Sequence, residues 1–152
     1  MFVTVVGALA AFVACNNGLQ LTDSKLKTVL VFGTFDALHS GHRYFLRQAK
    51  NLGDRLVVSL ARDEFVRSFE GKNPVDGESE RTARLRDTGL VAEVYLSGRI
   101  PGSYDLLLEV KPDLVCLGYD QDLLEENLRS WLQSRGVQIP LVKLHRAPTN
   151  RC

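Results

Sequence analysis

Gly33-Thr34-Phe35-Asp36-Ala37-Leu38-His39-Ser40-Gly41-His42 is the stretch whose reading decides the fold. It follows Thr28-Val29-Leu30-Val31-Phe32, a β-branched and aromatic run with the character of a buried strand. The chain leaves that strand through Gly33, turns, and enters a helix, with Ser40 as the expected N-cap and Gly41 to Leu52 on helical spacing up to Gly53. A helix start presents unpaired N–H groups and a partial positive charge, a natural seat for phosphate. Gly41 leaves the backbone open to close approach by a ligand. His39 and His42 stand three residues apart across that start, so both imidazoles can face one side, and they are two of only three histidines in the chain. A solvated polar helix start would need no such pair. The arrangement suits phosphoryl transfer, in which an enzyme mainly positions groups and stabilises charge spreading over phosphate oxygens.

Working outward, strands alternate with helices. Arg55 to Leu60 reads as a second strand, Ser68 to Gly77 as a polar surface loop, Glu78 to Thr88 as a polar helix and Val91 to Leu96 as a third strand. Tyr104 to Val110 reads as a short helix stopped by Pro112, and Asp113 to Gly118 as a strand covered on both faces. Leu123 to Ser134 is a helix with Leu124, Leu128, Trp131 and Leu132 turned inward and Gly136 ending it. Gln138 to Leu144 is a last strand whose Pro140 suits an edge. This pattern predicts an α/β fold with a single Rossmann-like, doubly wound parallel sheet that binds ligands at the carboxyl ends of its strands.

The 152 residues carry 19 basic and 18 acidic side chains, with 45% hydrophobic residues, the balance of one soluble globular domain. A charge of +1 argues against gripping nucleic acid through its phosphates but leaves room for a small phosphorylated ligand. Cys15, Cys116 and Cys152 are odd in number and far apart, forming neither a disulfide framework nor a zinc site, so a cytoplasmic, reducing location is expected. Residues Phe2 to Cys15 are almost wholly apolar, and Phe12-Val13-Ala14-Cys15 resembles a lipoprotein cleavage box. No basic residue precedes Lys25, as an export signal requires, and the run is too short to span a membrane. Residues 1–24 are therefore expected to form an extension outside the fold, with the domain occupying 25–152.

At this point the sequence resembles a known family. Gly33 to His42 is similar to the signature of the cytidylyltransferase-like nucleotidyltransferases. Ala61-Arg62-Asp63-Glu64, Glu80-Arg81 and Lys111-Pro112-Asp113 continue the likeness, and Leu117-Gly118-Tyr119-Asp120-Gln121 is similar to archaeal-type FAD synthases. The likeness spans about Lys27 to Leu144. It implies transfer of a nucleotide from a nucleoside triphosphate to a phosphorylated acceptor, with release of pyrophosphate and no covalent enzyme intermediate. On that resemblance His39 and His42 would be catalytic, holding the triphosphate, with Lys72 and Arg81 as further phosphate contacts. Thr34 and Phe35 (through their backbone), Ser40, Gly41, Asp120 and Arg146 would bind nucleotide. Mg2+ would come with the triphosphate rather than sit among protein ligands. Small-molecule substrates are the implied partners, without nucleic acid or membrane, and the resemblance admits a homodimer.

Asp36 could orient a histidine or cap the turn, and Tyr119 could stack on a base or be structural. Family members usually continue past the last strand into a turn and a further helix, which Leu144 to Cys152 does not contain; Thr149 stands where that turn would be. Three functions compete. The leading one transfers AMP from ATP to FMN, as an FAD synthase does. A CTP-dependent enzyme acting on glycerol 3-phosphate or a similar alcohol phosphate is the near alternative. An inactive nucleotide-binding regulatory protein is the alternative of another class.

Overall fold

A computed structural model of the protein describes residues 27–148, so the expectations for residues 1–24, Thr149 and Cys152 lie outside the described residues. Five strands form one parallel sheet: β1 (Thr28–Gly33), β2 (Arg55–Leu60), β3 (Glu93–Leu96), β4 (Leu114–Leu117) and β5 (Leu141–Lys143). Their order is β3-β2-β1-β4-β5, with Leu30 opposite both Val57 and Val115 in register. The order reverses between β1 and β4, and such a switch point opens a crevice at the strands' carboxyl ends. Gly33 and Leu117 end there.

Strand alternation divides the core in two. Val29, Val31, Leu56, Val58, Leu60 and Cys116 face one layer with Leu46 and Ala49 of α1 (Ser40–Lys50) and Leu85 of α3 (Glu78–Asp87). Leu30, Val57, Val115 and Leu117 face the other, against Leu107 of α4 (Leu106–Val110) and Leu128 and Leu132 of α5 (Asp122–Arg135). Burial raises the Cys116 thiol to about 11, so it is an inert core residue. Gly136 takes the left-handed conformation that ends α5, and Lys111 does the same for α4 just before Pro112.

The elements themselves differ from expectation after β2, at the last strand and at the start of α1. Asp63–Phe69 is a helix, α2, where no helix was expected, so the loop begins at Glu70 rather than Ser68. Its seven residues bury Val66 alone and leave Phe65 and Phe69 exposed, so no apolar stripe marks it. The last strand is only Leu141–Lys143, because Pro140 joins the ladder through its carbonyl, which accepts from the Val115 N–H. Finally, the N-cap of α1 is His39, not Ser40, with consequences for the site.

Candidate active site

The β1–α1 turn is held in a costly backbone shape. Phe35 and Ala37 both have positive φ, at 49° and 47°, a region that costs a side chain-bearing residue about 1–2 kcal/mol. Two contacts offset that cost. The Phe35 ring is buried in the α1-side core, and the Thr34 carbonyl accepts a hydrogen bond from the Arg81 guanidinium at 2.8 Å.

The turn delivers the chain to a capping box made entirely of histidine. His39 Nδ1 accepts from the Gly41 and His42 N–H groups at 3.1 and 3.4 Å, and His42 Nδ1 accepts from the His39 N–H at 3.3 Å. The rings stack 3.7 Å apart, 20° from parallel. With both Nδ1 atoms accepting, each neutral ring carries its proton on Nε2, pointing away from the helix backbone. The His42 pKa is lowered to about 4, chiefly by burial and secondly by the adjacent His39 imidazole, with Asp36 acting in the opposite sense. His42 is thus a neutral donor at pH 7. The expectation that free N–H groups of this helix start receive phosphate changes accordingly, since those of Gly41 and His42 already serve His39. The imidazole edges, with Ser40 beside them on the cleft, are the donors left to meet an anion.

The pair lies on a cleft of about 750 Å³ at the switch point. Thr34, Phe35, His39, Ser40, Gly41, His42, Lys72, Asp120 and Arg146 all line it. Lys72 and Arg146 are exposed and come from different loops, and Arg146 lies 5.5 Å over the Tyr119 ring. Tyr119 is 48% exposed on the lip, so it is not a buried structural tyrosine.

Arg81 is not brought to the cleft. It is fully buried, and its guanidinium donates to the Asp76, Thr34 and Ala61 carbonyls and to Asp63 Oδ1 at 2.6 Å. Four of its five N–H donors are thereby spent on protein, leaving little for a phosphate. A cation at the start of α3 serves the ends of β1 and β2, the start of α2 and the 70–77 loop at once.

Two residues of the quoted motifs have partners that the sequence does not name. Asp36 makes no hydrogen bond to a histidine; besides the Ala37 N–H of its own turn it accepts from the Val75 and Asp76 N–H groups at 2.8 and 2.9 Å, tethering the loop that bears Lys72. Burial would raise its carboxyl, but the Asp76 and Val75 N–H groups and the Arg81 charge hold it below the usual range. Gln121 bridges the switch point, accepting from the Gly118 N–H at 2.8 Å and donating to the Phe32 carbonyl at 3.1 Å. Its place in the Gly118-Tyr119-Asp120-Gln121 stretch was the only hint.

Among the described residues, no group of three or more His, Cys, Asp or Glu side chains is placed to hold a metal ion. Of the three carboxylates at the cleft, Asp36 is committed to backbone N–H groups, and Glu70 and Asp120 are exposed. That donor set fits a divalent ion carried by triphosphate oxygens and its own waters.

Comparison with known proteins agrees with this geometry. The cytidylyltransferase-like family model matches residues 30–152. The FAD synthase of Thermococcus onnurineus (strain NA1) is 37% identical over 126 residues, 83% of this chain and 84% of that protein. That of Methanosarcina barkeri (strain Fusaro) is 41% identical over 120 residues, 76% and 84% of the two chains. The crystal structure of the lipopolysaccharide core biosynthesis protein from Thermoplasma volcanium GSS1 superposes with a TM-score of 0.75 at 35% identity, covering 82% of this chain and all of that one. Pantoate-beta-alanine ligase from Francisella tularensis, at 14% identity and a TM-score of 0.60, shares the fold over 82% of this chain and 60% of its own. With its histidine capping box at the switch point of a five-stranded parallel sheet, the chain belongs to the cytidylyltransferase-like family of nucleotidyltransferases.

Proposed function

We propose that the chain is an FAD synthase. A phosphate oxygen of FMN attacks the α-phosphorus of ATP; the new P–O bond forms as the bond from that phosphorus to the bridging oxygen breaks, and pyrophosphate leaves with the electron pair. The observation that carries nucleotidyl transfer is the stacked His39–His42 pair, whose Nδ1 atoms are tied and whose Nε2–H edges are left for phosphate oxygens. The choice of FMN and ATP is supported by relatives of 33–41% identity named FAD synthase.

In this reading the imidazole donors meet the triphosphate without having to reorganise, which is how fixed dipoles stabilise charge as it develops. Lys72 and Arg146 bring positive charge from two sides, and Asp36 sets the loop that carries Lys72. Asp120 stands on the β4 lip, where a ribose or base is held. Mg2+, when bound with the nucleotide, neutralises phosphate charge. Arg81 acts as a positioning residue through Thr34 and Asp63. Among the described residues no helix is long and apolar enough to cross a membrane, and a cytoplasmic site of action is part of the proposal.

The test incubates the protein and Mg2+ with ATP or CTP, and with FMN or glycerol 3-phosphate, following pyrophosphate and FAD. Release of both products with ATP and FMN is expected. Pyrophosphate released only with CTP would overturn the flavin reading in favour of a cytidylyltransferase. Nucleotide binding without release from any pair would leave an inactive binding protein.

A further inference from the structure

A second cavity, of about 300 Å³, lies behind the same turn at the ends of β1, β2 and β3. It shares Phe32, Gly33, Thr34, Glu70 and Gln121 with the cleft, so the two spaces meet across the β1 terminus. Its character is different. Phe32, Phe65, Ile100, Tyr104 and Leu124 supply apolar walls, and among the described residues Glu70 is the only charged one lining it. Phe65 stacks on Phe69 at 4.6 Å, and Ile100 is 72% exposed although it faces an apolar space.

One polar group here has no protein partner. Ser97 lines the cavity, and its hydroxyl oxygen is buried without a hydrogen bond among the described residues. A buried hydroxyl left unpaired is a cost, and a ligand that pairs with it removes that cost. With no cation on its walls among the described residues, the cavity is a poor host for phosphate or for a small alcohol phosphate. It suits a flat, uncharged ring with one hydrogen-bonding edge, whose phosphate would reach past Thr34 to the histidine pair.

We propose that this cavity is the subsite for the planar ring of the acceptor, with the Phe65 side chain against the ring and the Ser97 hydroxyl bonded to its polar edge; this rests on the reading of the acceptor as a flavin phosphate. The test compares Phe65→Ala and Ser97→Ala with the parent chain by steady-state kinetics and by quenching of FMN and riboflavin fluorescence. Each substitution should raise the KM for FMN about three- to tenfold, the equivalent of one aromatic contact or one hydrogen bond, and leave the KM for ATP within about twofold. Riboflavin, which lacks the phosphate, should weaken by the same factor. Ser97→Ala should also leave the melting temperature unchanged or raised, because it removes an unpaired buried hydroxyl rather than a contact.

FAD formation with an unchanged FMN KM in both variants would overturn the subsite while leaving the proposed reaction standing. Absence of FAD formation, with riboflavin still quenched in a manner lost in Phe65→Ala, would overturn the reaction and support the ring subsite. Absence of both turnover and flavin quenching would overturn both.

Discussion

His39 and His42 cap each other: each Nδ1 accepts a backbone N–H from the other residue while the rings lie stacked at 3.7 Å. One local interaction therefore sets the helix start, fixes which nitrogen of each ring carries the proton and aligns two donors toward one cleft. Within each ring Nδ1 serves the cap and Nε2 is left for the proposed chemistry, so substitutions can separate the two.

His39→Asn and His39→Ala divide the two roles. Asparagine caps helices well, so its stability should match the parent, whereas alanine should cost about 0.5–2 kcal/mol. Both lose the imidazole donor, and kcat should fall by about 10²–10³ in each, the scale for one donor to developing charge. Denaturant melts alongside turnover check this. Near-parental kcat in His39→Asn would show that the ring serves only as a cap.

The acid response should have two stages. His42 titrates near 6.5 in the unfolded chain but at about 4 in the fold, so between those values the unfolded chain binds more protons and stability falls as pH falls. Below about pH 4 the carboxylates of Asp36 and Asp63, both held under the usual 3.8, protonate in turn and remove their share. His42→Gln keeps an N3 acceptor for the cap but does not titrate. Unfolding free energy measured from pH 7 to 3 should lose its upper slope in this variant and keep the lower one. An unaltered slope between pH 6.5 and 4 would assign the upper stage to another group.

How much of this was legible follows from the range of each interaction. The β1–α1 turn is written locally, in five strand-forming residues, a glycine and a histidine pair, and the parallel sheet follows from alternation repeated along the chain. Even so, the cap went to His39 because imidazole Nδ1 reaches the N–H groups that serine was expected to take. α2 escaped notice because it buries only Val66. Asp36 and Gln121 act on partners 39 and 89 residues away, and no local pattern names such partners. Arg81 was read as a phosphate ligand because a cation at a helix start needs a purpose. That purpose is three carbonyls and a carboxylate, all visible only after folding.

Arg81 supplies a prediction of its own. Arg81→Ala strands the Asp63 carboxylate and three carbonyls, and should cost about 3–5 kcal/mol, the scale for breaking a buried pair. Arg81→Lys keeps the charge but not the fork, so it should fall between the two. Equilibrium unfolding in urea measures both. If Arg81→Lys is fully stable and only the KM for ATP rises, the residue meets phosphate after all.

Gly41→Ala tests whether the cap and the proposed catalytic pair are one device. A Cβ at Gly41 would stand 3.0 Å from His39 Cε1 and 3.1 Å from Nδ1, so the ring must shift by a few tenths of an ångström. Alanine favours the helix by about 1 kcal/mol over glycine, which offsets the strained cap. Stability should therefore stay within about 1 kcal/mol of the parent. Turnover has no such compensation: the displaced ring no longer aligns with His42, and a small misplacement of a catalytic donor costs up to about 10² in rate. Stopped assays of FAD formation beside thermal melts give the two numbers. A stable variant with parental kcat would mean that the ring's position at the helix start does not control the chemistry. A stable variant slowed tenfold or more would place control of the reaction in the packing between a glycine and a capping imidazole.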